Sequence, residues 1–161
     1  MELSRFEPAV RALAAALVAR GWRMAAAESC TGGLVAAACT TVAGSSDWFE
    51  RGFVTYSNEA KTALLGVPAA LIAQHGAVSE AVVRAMAEGA LRHAPVQLAV
   101  AVTGIAGPGG AVPGKPVGTV WLATATAEAT QAERLQLAGD RDAVRAQAVA
   151  VALARLGARA A

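Results

Sequence analysis

The sequence predicts an α/β protein, a three-layer α/β/α sandwich built on a mixed, mostly parallel sheet. Three observations carry this expectation. Early in the chain, apolar runs of strand length alternate with amphipathic helical stretches, the pattern of βαβ units. Late in the chain, Gly118 to Ala125 and Ala132 to Leu137 read as two strands joined by a polar turn near Glu128, which adds an antiparallel hairpin. The 161 residues, 55% hydrophobic and 16% charged, suit one domain over residues 1–161 with a single substantial core, far from the polar composition of a disordered chain.

Each element has its own signal. Ser4 and Glu7 stand at capping-box spacing ahead of Val10, Leu13, Leu17 and Val18, which recur at helical intervals up to a stop at Gly21. Arg23 to Ser29 is a short strand. Thr31, Gly32 and Gly33 then turn the chain into a helix over Leu34 to Val42, closed by Gly44-Ser45-Ser46. Trp48 to Tyr56 mixes aromatic and β-branched residues over strand length, and Ser57 or Asn58 caps a short helix carrying Lys61, Leu64 and Leu65. Ser79 precedes Val82, Val83, Met86, Ala87, Ala90 and Leu91, a long amphipathic helix reaching His93 whose apolar stripe must cover a sheet. Leu98 to Val102 is a continuous apolar run, as in a strand buried on both faces, and it enters a loop from Gly104 to Pro116 with five glycines and three prolines. After the hairpin, Asp140 caps a final helix through Leu156.

Composition and charge exclude several classes. A net charge of +2, with 14 basic residues scattered against 12 acidic ones, lacks the concentrated positive field that duplex binding uses, so no nucleic-acid partner is expected. The apolar runs, such as Leu13 to Ala19 and Leu34 to Cys39, fall short of the roughly 18 to 20 residues of a spanning helix, so no membrane span is expected. The first segment has no export-signal pattern, and the expected location is cytoplasmic. Cys30 and Cys39 make a poor disulfide pair and too few ligands for structural zinc, and are expected as free thiols. His75 and His93 stand apart from each other and from any carboxylate pair, so a metal site or a serine–histidine triad has little support, and no cofactor is expected. Trp22, Trp48 and Trp121 are expected mainly in the core.

Three polar islands interrupt this aliphatic chain, each where a strand gives way to a turn, the usual place of an α/β active site. In Glu28-Ser29-Cys30-Thr31-Gly32-Gly33, a serine on a strand-to-helix turn lies near free backbone amides that can hold an anion or an oxyanion. Ser29 or Thr31 can also simply cap the helix. In Tyr56-Ser57-Asn58-Glu59-Ala60-Lys61, a lysine desolvated enough to be neutral could serve as the base that a serine nucleophile needs, with Tyr56 sharing or orienting the proton relay. A solvated Lys61 and a packed Tyr56 are the plain alternatives. In Thr103-Gly104-Ile105-Ala106-Gly107-Pro108-Gly109-Gly110, glycines after a buried strand let backbone amides approach a phosphate or a ring closely, although a long loop without function is also open. No P-loop or dinucleotide fingerprint is present. Near the end, Arg141 and Arg145 lie four apart on one helix face close to its N-terminus, where they could hold a phosphate or stand as an exposed pair balanced by Asp142.

With these islands in view, the sequence resembles the CinA C-terminal domain family, the stand-alone nicotinamide-nucleotide amidases. The resemblance rests on Ala25-Ala26-Ala27-Glu28-Ser29-Cys30-Thr31-Gly32-Gly33, Ala43-Gly44-Ser45-Ser46-Asp47-Trp48-Phe49, Gly52-Phe53-Val54-Thr55-Tyr56-Ser57-Asn58-Glu59-Ala60-Lys61, His75-Gly76-Ala77-Val78-Ser79-Glu80, Thr103-Gly104-Ile105-Ala106-Gly107-Pro108 with Lys115-Pro116-Val117-Gly118-Thr119-Val120, and Gly139-Asp140-Arg141. These segments cover nearly the whole chain in the family's order. The resemblance implies a small-molecule nucleotide substrate, nicotinamide mononucleotide, whose carboxamide is hydrolysed to nicotinate mononucleotide and ammonia. It implies that the chain is the amidase domain alone, without the molybdopterin-binding-like domain that some members carry, and that it forms a homodimer.

It places Ser29 as nucleophile, with Lys61 and Tyr56 as the proton-handling groups. The expected substrate-binding residues are Cys30, Thr31, Gly32 and Gly33 on the first turn, Asn58 on the second island, Thr103, Gly104 and Gly107 on the glycine loop, and Arg141 and Arg145 on the last helix. Cys30, adjacent and softer, is a rival nucleophile. One departure is the stretch Gly109-Gly110-Ala111-Val112-Pro113, less polar than in relatives, which bears on the loop's contacts to substrate. Two other classes stay open: a non-catalytic nucleotide-binding or regulatory module using the same loop and arginines, and a competence- or damage-linked interaction protein, suggested only by the family's naming.

Overall fold

In the computed structural model, which describes residues Met1–Ala161, the chain runs α1 (Glu7–Arg20), β1 (Met24–Glu28), α2 (Leu34–Cys39), β2 (Phe49–Val54), α3 (Asn58–Leu65), α4 (Ala69–His75), α5 (Glu80–Arg92), β3 (Leu98–Gly104), β4 (Thr119–Ala125), β5 (Thr130–Gln136) and α6 (Arg141–Ala160). The five strands form one sheet in the order β2-β1-β3-β4-β5. β1 pairs parallel with β2 and with β3, whereas β4 runs antiparallel to both β3 and β5. The sheet is therefore mixed, with β4 alone opposing the common direction. None of the helices is long and apolar enough to cross a membrane.

Two cores make the three layers. On one face α1, α2 and α6 pack over Met24, Val100, Val102, Val120 and Leu122 through Leu13, Leu17, Val149 and Leu153. On the other, α3, α4 and α5 pack over Ala99, Ala101, Ala123 and Ala125 through Leu65, Ile72, Val82, Val83 and Met86. The period-2 alternation of β3, with Leu98, Val100 and Val102 on one side and Ala99 and Ala101 on the other, gives α1 and α6 the bulky face. The alanine face lets α5 come close to the sheet. Burying each of these larger side chains contributes about 1.5–3 kcal/mol, so both layers are held chiefly by apolar burial.

The starts of α3, α5 and α6 and the end of α1 follow the sequence signals, whereas α2 stops at Cys39, short of Val42. Ser57, Ser79 and Asp140 accept hydrogen bonds from Ala60, Val82 and Ala143 amides, and Gly21 closes α1 in the left-handed conformation. The Ser4–Glu7 capping box does not form. Leu3–Phe6 is a 3-10 turn that leads directly into α1, and Glu7 instead pairs with Arg11 one turn on. Helix α4 was not anticipated, and α6 continues past Leu156 to Ala160, where Leu156 and Ala160 are still buried against the core. Trp48 is buried, whereas Trp22 is only partly covered, with the Arg20 guanidinium 3.8 Å from its ring centre. Both cysteines are free and buried.

Candidate active site

The register of the three parallel strands sets the site. Glu28 at the end of β1 lies opposite Val54 of β2 and Val102 of β3, so the next residue of each strand, Ser29, Thr55 and Thr103, meets at one end of the sheet. The alignment continues past the strands: Ser29 N–H donates to Val102 O at 2.9 Å, and Thr55 N–H to Glu28 O at 2.8 Å. These are the carboxyl ends of parallel strands, with the chain leaving β1 outward to β2 and returning to β3 on the other side, the position at which open α/β sheets form a crevice.

Lys61 reaches this point because of its place in α3. The Ser57 hydroxyl caps the helix at Ala60 N–H, 3.0 Å, and places Lys61 one turn in. Helical side chains lean toward the helix N-terminus, which sends the lysine stem back over residues 55–57. Its Nζ, on a side chain only 1% exposed, donates to Thr55 O at 2.7 Å and Tyr56 O at 3.2 Å, and lies 3.1 Å from Ser29 Oγ. Burial pushes the Lys61 amine below the ordinary lysine range, against a smaller opposing influence of the Cys30 thiol. A neutral amine has two N–H groups and one lone pair. The Ser57 carbonyl stands further off at 3.5 Å, so the ammonium form has carbonyls to donate to, whereas the neutral form would turn its lone pair to the Ser29 hydroxyl.

The turn that presents Ser29 is held by Glu28, which is 1% exposed. Its carboxylate accepts the amides of Gly33 and Val35 at 3.0 Å and of Ala36 at 2.8 Å, the orphan donors at the start of α2. Gly32 and Gly33 take positive φ, +57° and +100°, which a residue with a β-carbon adopts only with strain. Gly32 N–H donates to Ser29 O at 3.0 Å. Of the turn's amides expected to face an anion, Gly32 and Gly33 are thus committed internally, and those of Cys30 and Thr31 carry no such bond. Thr31 is wholly buried and its Oγ1 has no hydrogen-bond partner.

A cavity of about 220 Å³ opens beside the serine, lined by Ser29, Cys30, Tyr56, Lys61, Ala77, Val78, Thr103, Gly104, Ala106 and Arg141. Thr103 Oγ1 donates to Ala77 O at 3.0 Å, tying the end of β3 to the loop before α5. Arg141 donates to Gly107 O at 2.8 Å and to the Tyr56 hydroxyl at 3.3 Å, linking three segments at the rim. Gly107 has φ +82°, and a β-carbon there would overlap Val117 at 2.6 Å.

Several expected residues take different parts. Tyr56 is 62% exposed. Its carbonyl, not its hydroxyl, touches Lys61, so the relay expected through the phenol has no direct bond to the amine. Asn58 lies away from the serine, in a separate groove with Glu59, Thr62 and Ile72 between α3 and α4. Arg145 does not line the cavity and bonds the backbone of the serine turn. The Cys30 thiol is pushed up to about 11 by burial, the negative Glu28 adding a smaller push, which keeps it protonated near neutrality and makes it a poor rival to Ser29. Glu28 and Thr55 were missed as functional residues. The burial of Glu28 and its bonds to the α2 amides are set by the fold, and Thr55 meets Lys61 through its carbonyl, so sequence marks neither.

The CinA C-terminal domain family matches residues 7–159. The chain is 59% identical over 142 residues to the nicotinamide-nucleotide amidohydrolase PncC of Escherichia coli strain K12, covering 88% of this chain and 86% of that one. A competence/damage inducible protein, CihA, from Agrobacterium tumefaciens superposes with a TM-score of 0.93 at 42% identity over 95% of this chain and 94% of that one. A CinA superfamily protein from Klebsiella pneumoniae gives 0.91 at 44% identity, covering 95% and 96%.

Proposed function

The chain belongs to the CinA C-terminal domain family, and on that premise we propose that it is a nicotinamide-nucleotide amidohydrolase, converting nicotinamide mononucleotide and water to nicotinate mononucleotide and ammonia through a Ser29 acyl-enzyme. The observation that carries this reading is the buried Lys61 amine 3.1 Å from Ser29 Oγ, at the mouth of a cavity, in a chain 59% identical to an amidohydrolase of that name.

Neutral Lys61 takes the Ser29 proton as Oγ bonds to the carboxamide carbon, and the carbonyl π electrons move onto oxygen. The protonated amine then delivers that proton to the leaving nitrogen as the C–N bond breaks, releasing ammonia and leaving an ester on Ser29. In the second half Lys61 draws a proton from water, hydroxide adds to the ester carbon, and Oγ departs with the proton returned. Thr55 and Tyr56 carbonyls hold the amine throughout and stabilise its charged form when it appears. The cavity has room for about seven water molecules at ~30 Å³ each. This suits the pyridine ring and its amide, with ribose and phosphate left toward the rim at Arg141. Two buried free thiols fit a reducing, cytoplasmic setting, and the open edge of β2 offers a surface to a second copy in a homodimer, which sedimentation at several concentrations tests.

Ammonia release from nicotinamide mononucleotide, nicotinamide riboside and free nicotinamide tests the assignment. Wild type should act on the mononucleotide, and Ser29→Ala should lose at least 10³-fold in kcat. Near-normal turnover by Ser29→Ala would remove the nucleophile from the scheme. Binding without ammonia release by wild type would favour a non-catalytic nucleotide module.

A further inference from the structure

Two guanidinium groups rise from the start of α6, one helical turn apart, and they do different things. Arg141 stands at the rim of the cavity. Arg145 is half-buried, and its Nε and Nη2 donate to Cys30 O at 3.1 Å and Thr31 O at 3.3 Å, the carbonyls of successive peptides in the turn after Ser29. A β-carbon on Gly32 would lie 3.5 Å from Arg145 Nη2, so the guanidinium is packed directly on the turn's backbone.

The Cys30–Thr31 and Thr31–Gly32 peptides are trans, because the sole cis bond is Gly107–Pro108. In a trans peptide the carbonyl and the amide point in opposite directions. By gripping Cys30 O, Arg145 sets the direction of Thr31 N–H. Thr31 O is held jointly by Arg145 and by the Leu34 amide at 3.0 Å, and Gly32 N–H of the same peptide donates to Ser29 O at 3.0 Å, so the Cys30 carbonyl is the one that Arg145 alone holds. Glu28 takes Gly33 N–H from the other side at 3.0 Å. The turn is fixed between a cation and a carboxylate, and the amides of Cys30 and Thr31 are the two in it that donate to no carbonyl or carboxylate. A cation on a peptide oxygen also polarises the same peptide, which strengthens its N–H as a donor.

We propose that Arg145 is a positioning residue for the hydrolysis and not a ligand of the substrate phosphate. It holds the Ser29 turn so that the hydroxyl is in place for attack and the Cys30 and Thr31 amides are in place for the oxyanion of the tetrahedral intermediate. This rests on the amidase reading above. Preorganised donors act in the transition state, and a displacement of about 1 Å is enough to cost on the order of 10²-fold in rate. Loss of Arg145 should therefore lower kcat and spare affinity, the reverse of losing a phosphate ligand.

The test compares Arg145→Lys, which keeps the charge without the planar fork, and Arg145→Gln, which keeps one donor without the charge. Either one, shown by its melting curve to be folded, suffices. Turnover is measured at saturating nicotinamide mononucleotide, and Kd by calorimetry with the same substitution placed in Ser29→Ala. A fall in kcat of tenfold or more, with Kd changed by less than tenfold, supports the proposal. Any other pairing, above all a weakened Kd with kcat retained, overturns it. A wild type that releases no ammonia would sink the amidase reading instead, so the two failures are distinguishable.

Discussion

At Lys61 the loss of water outweighs the smaller opposing influence of the Cys30 thiol, and the amine is held below its ordinary value of 10.5. Activity that needs the free base should then rise with pH to a plateau, with a midpoint for kcat/KM below 10.5 and a slope of one in the logarithm. A midpoint at or above that value, or a flat profile, would count against lysine as the base. Stability carries the same signature. The depressed pKa is a penalty fully present below the folded value, and it disappears as pH rises toward the unfolded one. Wild type should therefore gain in melting temperature relative to Lys61→Met over that interval, measured by paired thermal scans. The residue scale is also where sequence reading succeeded unevenly. Ser29 and Lys61 stood out at strand-to-turn boundaries with a plain cap and a solvated lysine as open alternatives until the family resemblance paired them, and the structure brings the two side chains to 3.1 Å. Glu28 was quoted in the motif without a role, since its three amide partners belong to a helix start whose geometry only folding defines. Arg141 and Arg145 share a face and a spacing, and nothing in that spacing says that one faces the cavity and the other the turn.

Among the elements, α5 shows how a close approach overrides propensity. Gly89 sits inside this helix, where alanine is ordinarily better by about 1 kcal/mol. A β-carbon there would lie 2.2 Å from the Leu65 carbonyl oxygen, a backbone atom at the end of α3 that cannot swing aside. Overpacking of this kind costs about 1–3 kcal/mol or more, which exceeds the propensity gain. Gly89→Ala should lower the melting temperature, and because α3 carries Lys61 it should lower kcat too; an unchanged or raised melting temperature would show that the helices can part. Most strands and helices were readable from periodicity and caps, as at Ser79 and Asp140. The exceptions have local causes. The Ser4–Glu7 pattern was displaced by a 3-10 turn that puts Phe6 in the core, and α4 lacks a polar N-cap, starting after Pro68 with no side-chain hydrogen bond.

For the molecule as a whole, the cavity gathers residues from the ends of β1 and β3, from the start of α3 and from α6, and so from both helical layers. A ligand seated there should brace the entire fold. At 100 times Kd, nicotinamide mononucleotide bound to Ser29→Ala should add about 2.7 kcal/mol, a rise of roughly 5–10 °C for a chain of this size. No shift at saturation would show that this cavity is not where the nucleotide binds. The three-layer class followed from alternation and composition. The strand order did not, because parallel pairing around β1 depends on contacts far apart in the chain.

The tip of the β4–β5 hairpin, Ala127 to Ala129, is exposed and lies at the far end of the sheet from Ser29, since β4 ends beside the start of β3. Loop tips of this kind accept added chain with little penalty. A fluorophore, an affinity tag or a tether to a sensor surface attached at Ala127 would leave the opposite rim open to small solutes, making the hairpin the natural handle for immobilising this protein.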